Sequence, residues 1–183
     1  MFATVKGEIE QLDRLVNDIA AVTVAEREDF SVQLHPVSLT VLFDGAEAFA
    51  PGVLAEHQLT VLPPPEMLVW CDPERVSQVL RNLLQNAAKH TPAGTSVELR
   101  AHREGQQVRI EVADDGPGLA AEDVDLIFEK FGRGPSAAAH QTSGAGLGLY
   151  VSRQIMRAHG SDLTVDSTPG EGTVFSFNLK VAS

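Results

Sequence analysis

Apolar residues recur at helical spacing in four stretches of this 183-residue chain. In the first, residues 1–29, they lie alternately three and four positions apart, which is the heptad seam of a coiled coil or helical bundle. The seam consists of Phe2, Val5, Ile9, Leu12, Val16 and Ile19. Because one helix with an apolar seam needs a partner, this segment is predicted to dimerise or to belong to a larger bundle. The alternative is a terminal helix that folds back on its own domain.

The clearest amphipathic pattern lies between Asp72 and Pro92. Asp72 can cap a helix, and Pro73 suits its first turn because no N–H is needed there. Pro92 then stops the helix. The predicted buried stripe comprises Val76, Val79, Leu80, Leu83, Leu84 and Ala87. The sequence therefore predicts a central helix that packs on a core.

Three polar residues follow one edge of that helix. At about 100° per residue, Asn82, Asn86 and Lys89 cluster beside the apolar stripe. Amide oxygens are hard ligands that suit Mg²⁺, and an ammonium group suits phosphate. The edge is a candidate site for both, although an ordinary amphipathic helix with a polar rim has the same pattern.

The remaining elements alternate between helical and strand periods. Residues 39–53 predict a helix that is broken or ended near Pro51-Gly52, and a last helix runs to about His159. Period-two alternation predicts strands at 59–61, 67–70, 97–101, 108–112, 163–165 and 175–181. A turn at Glu104-Gly105 joins the third and fourth strands into an antiparallel hairpin. Residues 30–37 change character and are predicted to link two modules.

One carboxylate stands at a strand end beside two glycines. The strand 108–112 runs directly into Asp114, and Gly116 and Gly118 follow it. Such a carboxylate can present an acceptor while glycine lets the backbone approach a flat ligand. The alternative is a common Gly-Pro turn between two elements.

A second glycine-rich stretch opens the last helix. Residues 132–143 are rich in Gly, Ser, Ala and Gln without an apolar period, as in a mobile lid, and Phe128 and Phe131 are expected to anchor its start. Gly144, Gly146 and Gly148 then lead into the helix, whose N-terminal N–H groups and dipole suit phosphate. This stretch does not follow a strand, so it is not the dinucleotide-fold fingerprint, and the absence of a Gly-Lys pair excludes a P-loop.

The composition and net charge limit the partners and the cellular compartment that can be expected. A net charge of −11 argues against nonspecific nucleic-acid binding, so no nucleic-acid partner is expected. Cys71 is the only cysteine, which excludes an intrachain disulfide and fits a reducing, cytoplasmic environment. No apolar run approaches the ~20 residues that span a membrane.

The order of these motifs resembles the ATP-binding catalytic domain of sensor histidine kinases, in the Bergerat-fold superfamily. Asn-x-x-x-Asn-x-x-Lys comes first, then Asp-x-Gly-x-Gly, Phe-x-x-Phe, a loop, Gly-x-Gly-x-Gly and finally Gly-x-Gly-Thr at Gly170–Thr173. The implied fold is an α/β two-layer sandwich, a mixed and mostly antiparallel sheet covered on one face by three helices. The predicted domains are a dimerisation helix at 1–29, a linker at 30–37 and the ATP-binding domain at 38–183.

The resemblance implies a role for each residue at the phosphate end. Asn86 corresponds to the Mg²⁺-binding asparagine, with Asn82 one turn before it, and Lys89 corresponds to the lysine that reaches the phosphates. His90 takes a place near the nucleoside that tyrosine often holds. Arg133 lies where basic lid residues approach the γ-phosphate, although a solvated loop charge is an equal alternative.

The resemblance also implies the nucleobase and lid contacts. Asp114 corresponds to the aspartate that accepts from the adenine amino group, and Thr173 supports that contact. The glycine loop residues allow close approach to ATP or form the lid hinge and phosphate contacts: Gly116, Gly118, Gly144, Gly146, Leu147 and Gly148. The implied cofactors are ATP and Mg²⁺.

The implied function is transfer of the γ-phosphoryl group of Mg-ATP to a histidine on a phosphoacceptor helix, with a response regulator downstream and a possible homodimer through residues 1–29. None of the six histidines is followed by the acidic residue of a phosphoacceptor, so the chain is predicted to be a truncated or split kinase whose parent can be membrane-anchored. The alternatives are a degenerate nucleotide-binding module and a Bergerat-fold ATPase. Those ATPases carry a water-activating glutamate where this chain has Asn82.

Overall fold

The computed structural model describes residues 31–132 and 146–182. The strands are β1 His35–Ser38, β2 Gln58–Val61, β3 Leu68–Cys71, β4 Ser96–Glu104, β5 Gln107–Asp114, β6 Thr164–Thr168 and β7 Gly172–Val181. The helices are α1 Leu39–Phe49, α2 Pro73–His90 and α3 Gly148–Ala158. The predicted N-terminal helix and nearly all of the predicted lid loop lie outside the described residues.

Six of the seven strands form one mixed sheet in the order β1-β3-β7-β5-β4-β2, and the seventh, β6, pairs with β7 outside this order. Strand β7 pairs with β5 along one edge, and its other edge pairs with β6 near its start and with β3 near its end. Among the described strands only β2 and β4 run parallel. The predicted mixed, mostly antiparallel sheet is therefore confirmed.

The three helices form the second layer, and α2 lies between α1 and α3. All six predicted stripe positions of α2 are buried, each with at most 3% of its surface exposed. Burying one Val or Leu side chain stabilises a fold by roughly 1.5–3 kcal/mol. This stripe therefore fixes α2, and with it the polar edge, against the sheet. The predicted two-layer sandwich is confirmed.

Hydrogen bonds join the start of α2 to the end of α3. The Asp72 side chain caps α2 by accepting from Arg75 N at 3.2 Å, as the sequence predicted. The Asp72 N–H donates to His159 Nε2 at 3.0 Å, while His159 Nδ1–H donates to the Ile155 carbonyl at 2.8 Å. One ring nitrogen accepts and the other donates, so the imidazole is neutral. Burial lowers the pKa of His159, in keeping with that state.

Two local expectations differ from the structure. Strand β1 lies in the segment predicted as a linker, because its backbone pairs with β3 from His35↔Cys71 to Ser38↔Leu68. The β4–β5 hairpin turns at 105–106, one residue later than predicted, because Glu104 pairs with Gln107.

The sheet face away from the helices is polar. Glu111 is only 7% exposed there, and its carboxylate accepts from Arg100 Nε and from Arg109 Nε at 2.6 and 2.8 Å. Burial opposes its ionisation, but the two guanidinium groups hold the pKa of Glu111 below its usual range.

None of the helices in the described part of the chain is long and apolar enough to cross a membrane.

Candidate functional site

Asp114 sits at the end of β5 in a half-buried position. Its strand partner is Thr173 on β7, and its Oδ1 accepts from the Gly116 N–H at 3.0 Å. Burial raises the pKa of Asp114, and the backbone bond from Gly116 partly offsets that effect. The structure therefore presents one carboxylate at the predicted strand end, oriented by the backbone of the turn that follows.

Thr173 lies in a small hydroxyl cluster beside this carboxylate. Its side chain is buried, and its Oγ1 lies 3.0 Å from Ser167 Oγ on β6. Ser167 Oγ donates to the Gly172 carbonyl at 2.8 Å and accepts from Leu119 N at 2.9 Å. Ser167 thus connects β6, the start of β7 and the glycine turn. No sequence motif singled it out, because its partners are brought together only by the β6–β7 pairing.

Two glycines near Asp114 are required by the packing of the protein itself. Gly118 and Gly172 both have positive φ angles, of 68° and 96°. A Cβ on Gly118 would overlap the Thr168 carbonyl, and one on Gly172 would overlap the Asp114 carbonyl. Their glycine identity therefore follows from backbone contacts within the chain, and a role in approaching a ligand stays a prediction.

The two asparagine side chains on the polar edge of α2 differ in their hydrogen bonding. Asn82 Nδ2 donates to the Gly148 carbonyl at 3.2 Å and to Ser152 Oγ at 3.0 Å, both on α3. Asn86 is half-buried and makes no side-chain hydrogen bond with another described residue. Lys89 and His90 are exposed at the end of the helix. The Asn86 side chain is therefore the less engaged of the two within the described residues, and its role as a ligand stays a prediction.

Thr91 brings the end of α2 to the Asp114 turn. A Cβ built on Gly116 would lie 2.5 Å from Thr91 Cγ2, so the threonine methyl rests directly on this glycine. The edge that carries Asn86 and Lys89 ends at the turn that carries Asp114. The fold thus joins two motifs that are about thirty residues apart in sequence.

The glycine stretch before α3 contains one buried apolar residue. Leu147 is 1% exposed and belongs to the interior, so its predicted ATP contact could come only from its backbone. Gly146 has a φ of 68°, and a Cβ there would lie 3.2 Å from the Gly132 carbonyl oxygen. The two ends of the intervening segment therefore meet, while Arg133 and Gly144 lie outside the described residues.

Only one of the two expected aromatic anchors is buried. Phe128 packs edge to face on Phe175, with ring centroids 6.4 Å apart, and the Arg153 guanidinium lies 4.8 Å from its ring centroid. Phe131 is 66% exposed and has a φ of 59°. The expectation that Phe131 anchors the start of the loop was wrong, because its backbone turns the side chain away from the core.

The carboxylates and imidazoles of the described residues form no group of three that could hold a metal ion. Mg²⁺ does not need such a cage, since it usually keeps several waters and takes one or two protein oxygens together with substrate phosphates. The available Asn86 amide fits that mode of binding.

Comparison with known proteins agrees with this arrangement. The family model described as "Histidine kinase-, DNA gyrase B-, and HSP90-like ATPase" matches residues 71–183. The chain belongs to this family. The match includes α2, the Asp114 turn and the glycine stretch before α3, so all the predicted site residues fall inside it.

Similar curated proteins are named as sensor kinases. The adaptive-response sensory kinase SasA of Synechocystis is 34% identical over 180 residues, which are 96% of this chain and 46% of that protein. The sensor histidine kinase WalK of Bacillus subtilis is 29% identical over 95% of this chain and 29% of its own length. The chain thus spans about half the length of SasA and less than a third of WalK.

Solved structures share the fold. Full-length ShkA, crystallised in complex with AMPPNP, superimposes with a TM-score of 0.83 at 30% identity and covers 99% of this chain and 38% of ShkA. The mycobacterial sensor histidine kinase MprB gives a TM-score of 0.70 at 26% identity, covering 81% of this chain and 98% of that chain. The predicted histidine-kinase catalytic fold is therefore confirmed.

Proposed function

We propose that this chain is the catalytic part of a sensor histidine kinase, which binds Mg-ATP and transfers the γ-phosphoryl group to a histidine on a separate phosphoacceptor helix. The family match and the kinase relatives support this assignment. In the proposed complex, Asp114 accepts from the adenine amino group and Asn86 supplies an oxygen to Mg²⁺. Lys89 and the N–H groups at the start of α3 meet the phosphates.

The presence of an asparagine at position 82 favours phosphotransfer over ATP hydrolysis. In the ATPases of this superfamily a glutamate at this position activates water, whereas the Asn82 amide cannot take up a proton. Both of its recorded hydrogen bonds are donated to α3, to Gly148 and Ser152. We infer that Asn82 holds the phosphate-binding start of α3 against α2. Catalysis then rests on positioning and on neutralising charge, as is usual for phosphoryl transfer.

The proposed partners follow from this reaction. The acceptor is a helix that carries a histidine, and a response regulator takes the phosphoryl group from it. Residues 1–29, with their heptad seam, are proposed to pack against that helix and to dimerise. Of the chain's own histidines, His159 is unsuited as an acceptor because both of its ring nitrogens are hydrogen bonded.

Phosphotransfer is tested with labelled ATP and Mg²⁺. The chain alone should stay unlabelled, and adding a cognate segment with the acceptor helix should place acid-labile label on that segment. Asp114→Ala should abolish most of that transfer. Steady-state hydrolysis should stay well below about 1 s⁻¹, which is the lower end of the range for typical enzymes. Label on a histidine of this chain, or turnover at about 1 s⁻¹ or faster, would contradict the proposal.

The metal role is tested with Asn86→Ala. Removing the amide oxygen should lower Mg²⁺-dependent ATP affinity and phosphotransfer together, while affinity measured in chelator should not change. Gln85→Ala, an exposed neighbour on α2, is the matched control. If chelator weakens ATP binding by the same factor in the wild type and in Asn86→Ala, Asn86 is not the ligand.

A further inference from the structure

His57 lies beside the Asp114 turn although no motif contains it. Its Nε2 lies 2.9 Å from Thr91 Oγ1, and Thr91 Oγ1 in turn donates to the Ala87 carbonyl at 2.8 Å. A hydroxyl has a single hydrogen, so the His57 Nε2–H must be the donor in the first bond. In that tautomer Nδ1 is an acceptor, and it is buried with no hydrogen-bond partner among the described residues.

That unpartnered nitrogen indicates that stability alone does not explain a histidine here. A buried acceptor without a partner destabilises a fold, whereas an apolar side chain of similar shape would not.

The contacts continue from His57 to the carboxylate in three steps. The imidazole fixes the Thr91 hydroxyl, and so fixes the rotamer of that side chain. The Thr91 methyl then rests on Gly116, where a Cβ would lie only 2.5 Å from Thr91 Cγ2. The Gly116 N–H finally holds Asp114 Oδ1 at 3.0 Å.

We propose that His57 is a positioning residue for nucleobase recognition, which acts through Thr91 and Gly116 to orient the Asp114 carboxylate. This inference rests on the proposed function, because it assumes that Asp114 reads the adenine amino group. ATP and inosine triphosphate differ at that group, which is a carbonyl in inosine. The ratio of their affinities therefore reports the orientation of Asp114, whereas a general loss of structure would weaken both nucleotides.

Calorimetry on the full chain with Mg²⁺ tests the inference. His57→Leu should lower ATP affinity by about three- to tenfold, the effect of one hydrogen bond, and leave inosine triphosphate affinity unchanged. His57→Gln, which retains an N–H near the position of Nε2, should recover most of the ratio. His102→Leu, on the exposed end of β4, is the control and should behave as wild type.

Two variants of Thr91 test the intermediate step even if His57→Leu folds poorly. Thr91→Val keeps the methyl packing but loses the hydroxyl. It should therefore lower the ratio of ATP to inosine triphosphate affinity as His57→Leu does. The double variant of His57→Leu and Thr91→Val should have no lower ratio than either single variant. Thr91→Ser keeps the hydroxyl and removes the methyl from Gly116, and should lower the ratio as well. A wild-type ratio in Thr91→Ser and in His57→Leu would overturn the proposal, as would equal losses for both nucleotides.

Asp114→Ala separates failure of this inference from failure of the proposed function. If it abolishes the preference for ATP while His57→Leu does not change it, only the role of His57 is wrong. If Asp114→Ala itself leaves the preference unchanged, adenine is read elsewhere and both proposals fall.

Discussion

The proposed nucleobase end and the proposed phosphate end of the candidate site are built differently. At the nucleobase end, Asp114 and Thr173 face each other across two paired strands, and backbone groups orient the carboxylate. At the phosphate end, the polar groups stand on two separate helices that side-chain bonds from Asn82 hold together. The first end is fixed by the sheet, and the second by contacts that a small shift of α3 would break.

This difference suits the two parts of a nucleotide. The base does not change during phosphoryl transfer, so a rigid acceptor that is oriented in advance loses nothing by its rigidity. The phosphates change charge and must be released, which favours elements with lower local stability. The following predictions test this contrast, from the largest expected effect to the smallest.

The tight backbone packing of the nucleobase end is tested by a pair of glycine variants. Gly172→Ala should destabilise the fold by roughly 2–5 kcal/mol, because it adds a strained positive φ to an overlap with the Asp114 carbonyl. Gly170→Ala has a similar φ of 84° but open space around it, so it should cost only about 1–2 kcal/mol. Denaturant unfolding measures both. Equal losses would mean that the close approach to Asp114 is not tight.

Asp114→Ala should weaken every adenine ligand. It leaves a buried amino group without its acceptor, which costs roughly 1–3 kcal/mol, or about 5- to 150-fold in affinity for ATP and for adenosine alike. Asp115→Ala is the neighbouring control. In the wild type, burial raises the pKa of Asp114, so ATP affinity should fall as pH is lowered through that pKa and the carboxylate is protonated. Unchanged adenosine binding in a folded Asp114→Ala would place the base elsewhere.

Asn82→Ala should separate the two ends of the site. Losing its bonds to Gly148 and Ser152 should lower the free energy of unfolding by about 1–2 kcal/mol, and should lower ATP affinity without changing that for adenosine. Ser152→Ala should give a smaller loss, and the double variant should be less than additive because the pair shares one bond. A parallel loss of adenosine binding would show that the two ends are not independent.

The link between α2 and α3 predicts a pH dependence of stability. Burial lowers the pKa of His159, so the folded state resists protonation there. Its contribution is complete above the unfolded pKa of about 6.5 and is lost as pH falls from that value through the lower pKa of the folded state. Unfolding of His159→Gln should lack this part of the pH dependence. An identical pH profile for the variant would assign the effect to another group.

The sequence by itself determined the three described helices, every described strand except β1, and the order of the motifs. The stripe of α2 is periodic over about three turns, and Asp72 and Pro92 mark the limits of the helix, so local pattern was enough to predict it. The alternation in β4, β5 and β7 predicted strands for the same reason. It also located Asp114 at a strand end, because strand and turn signals are local.

Only the tertiary structure decided which residues meet. The place of β1 beside β3 depends on backbone pairing across about thirty residues, which no local pattern reports. Phe131 has the apolar side chain expected of an anchor, but its backbone turns that side chain outward. Ser167 and His57 reach the site through contacts with β7 and with the end of α2. A side chain's role in a site depends on such long-range neighbours, whereas periodicity records only which face of its own element it occupies.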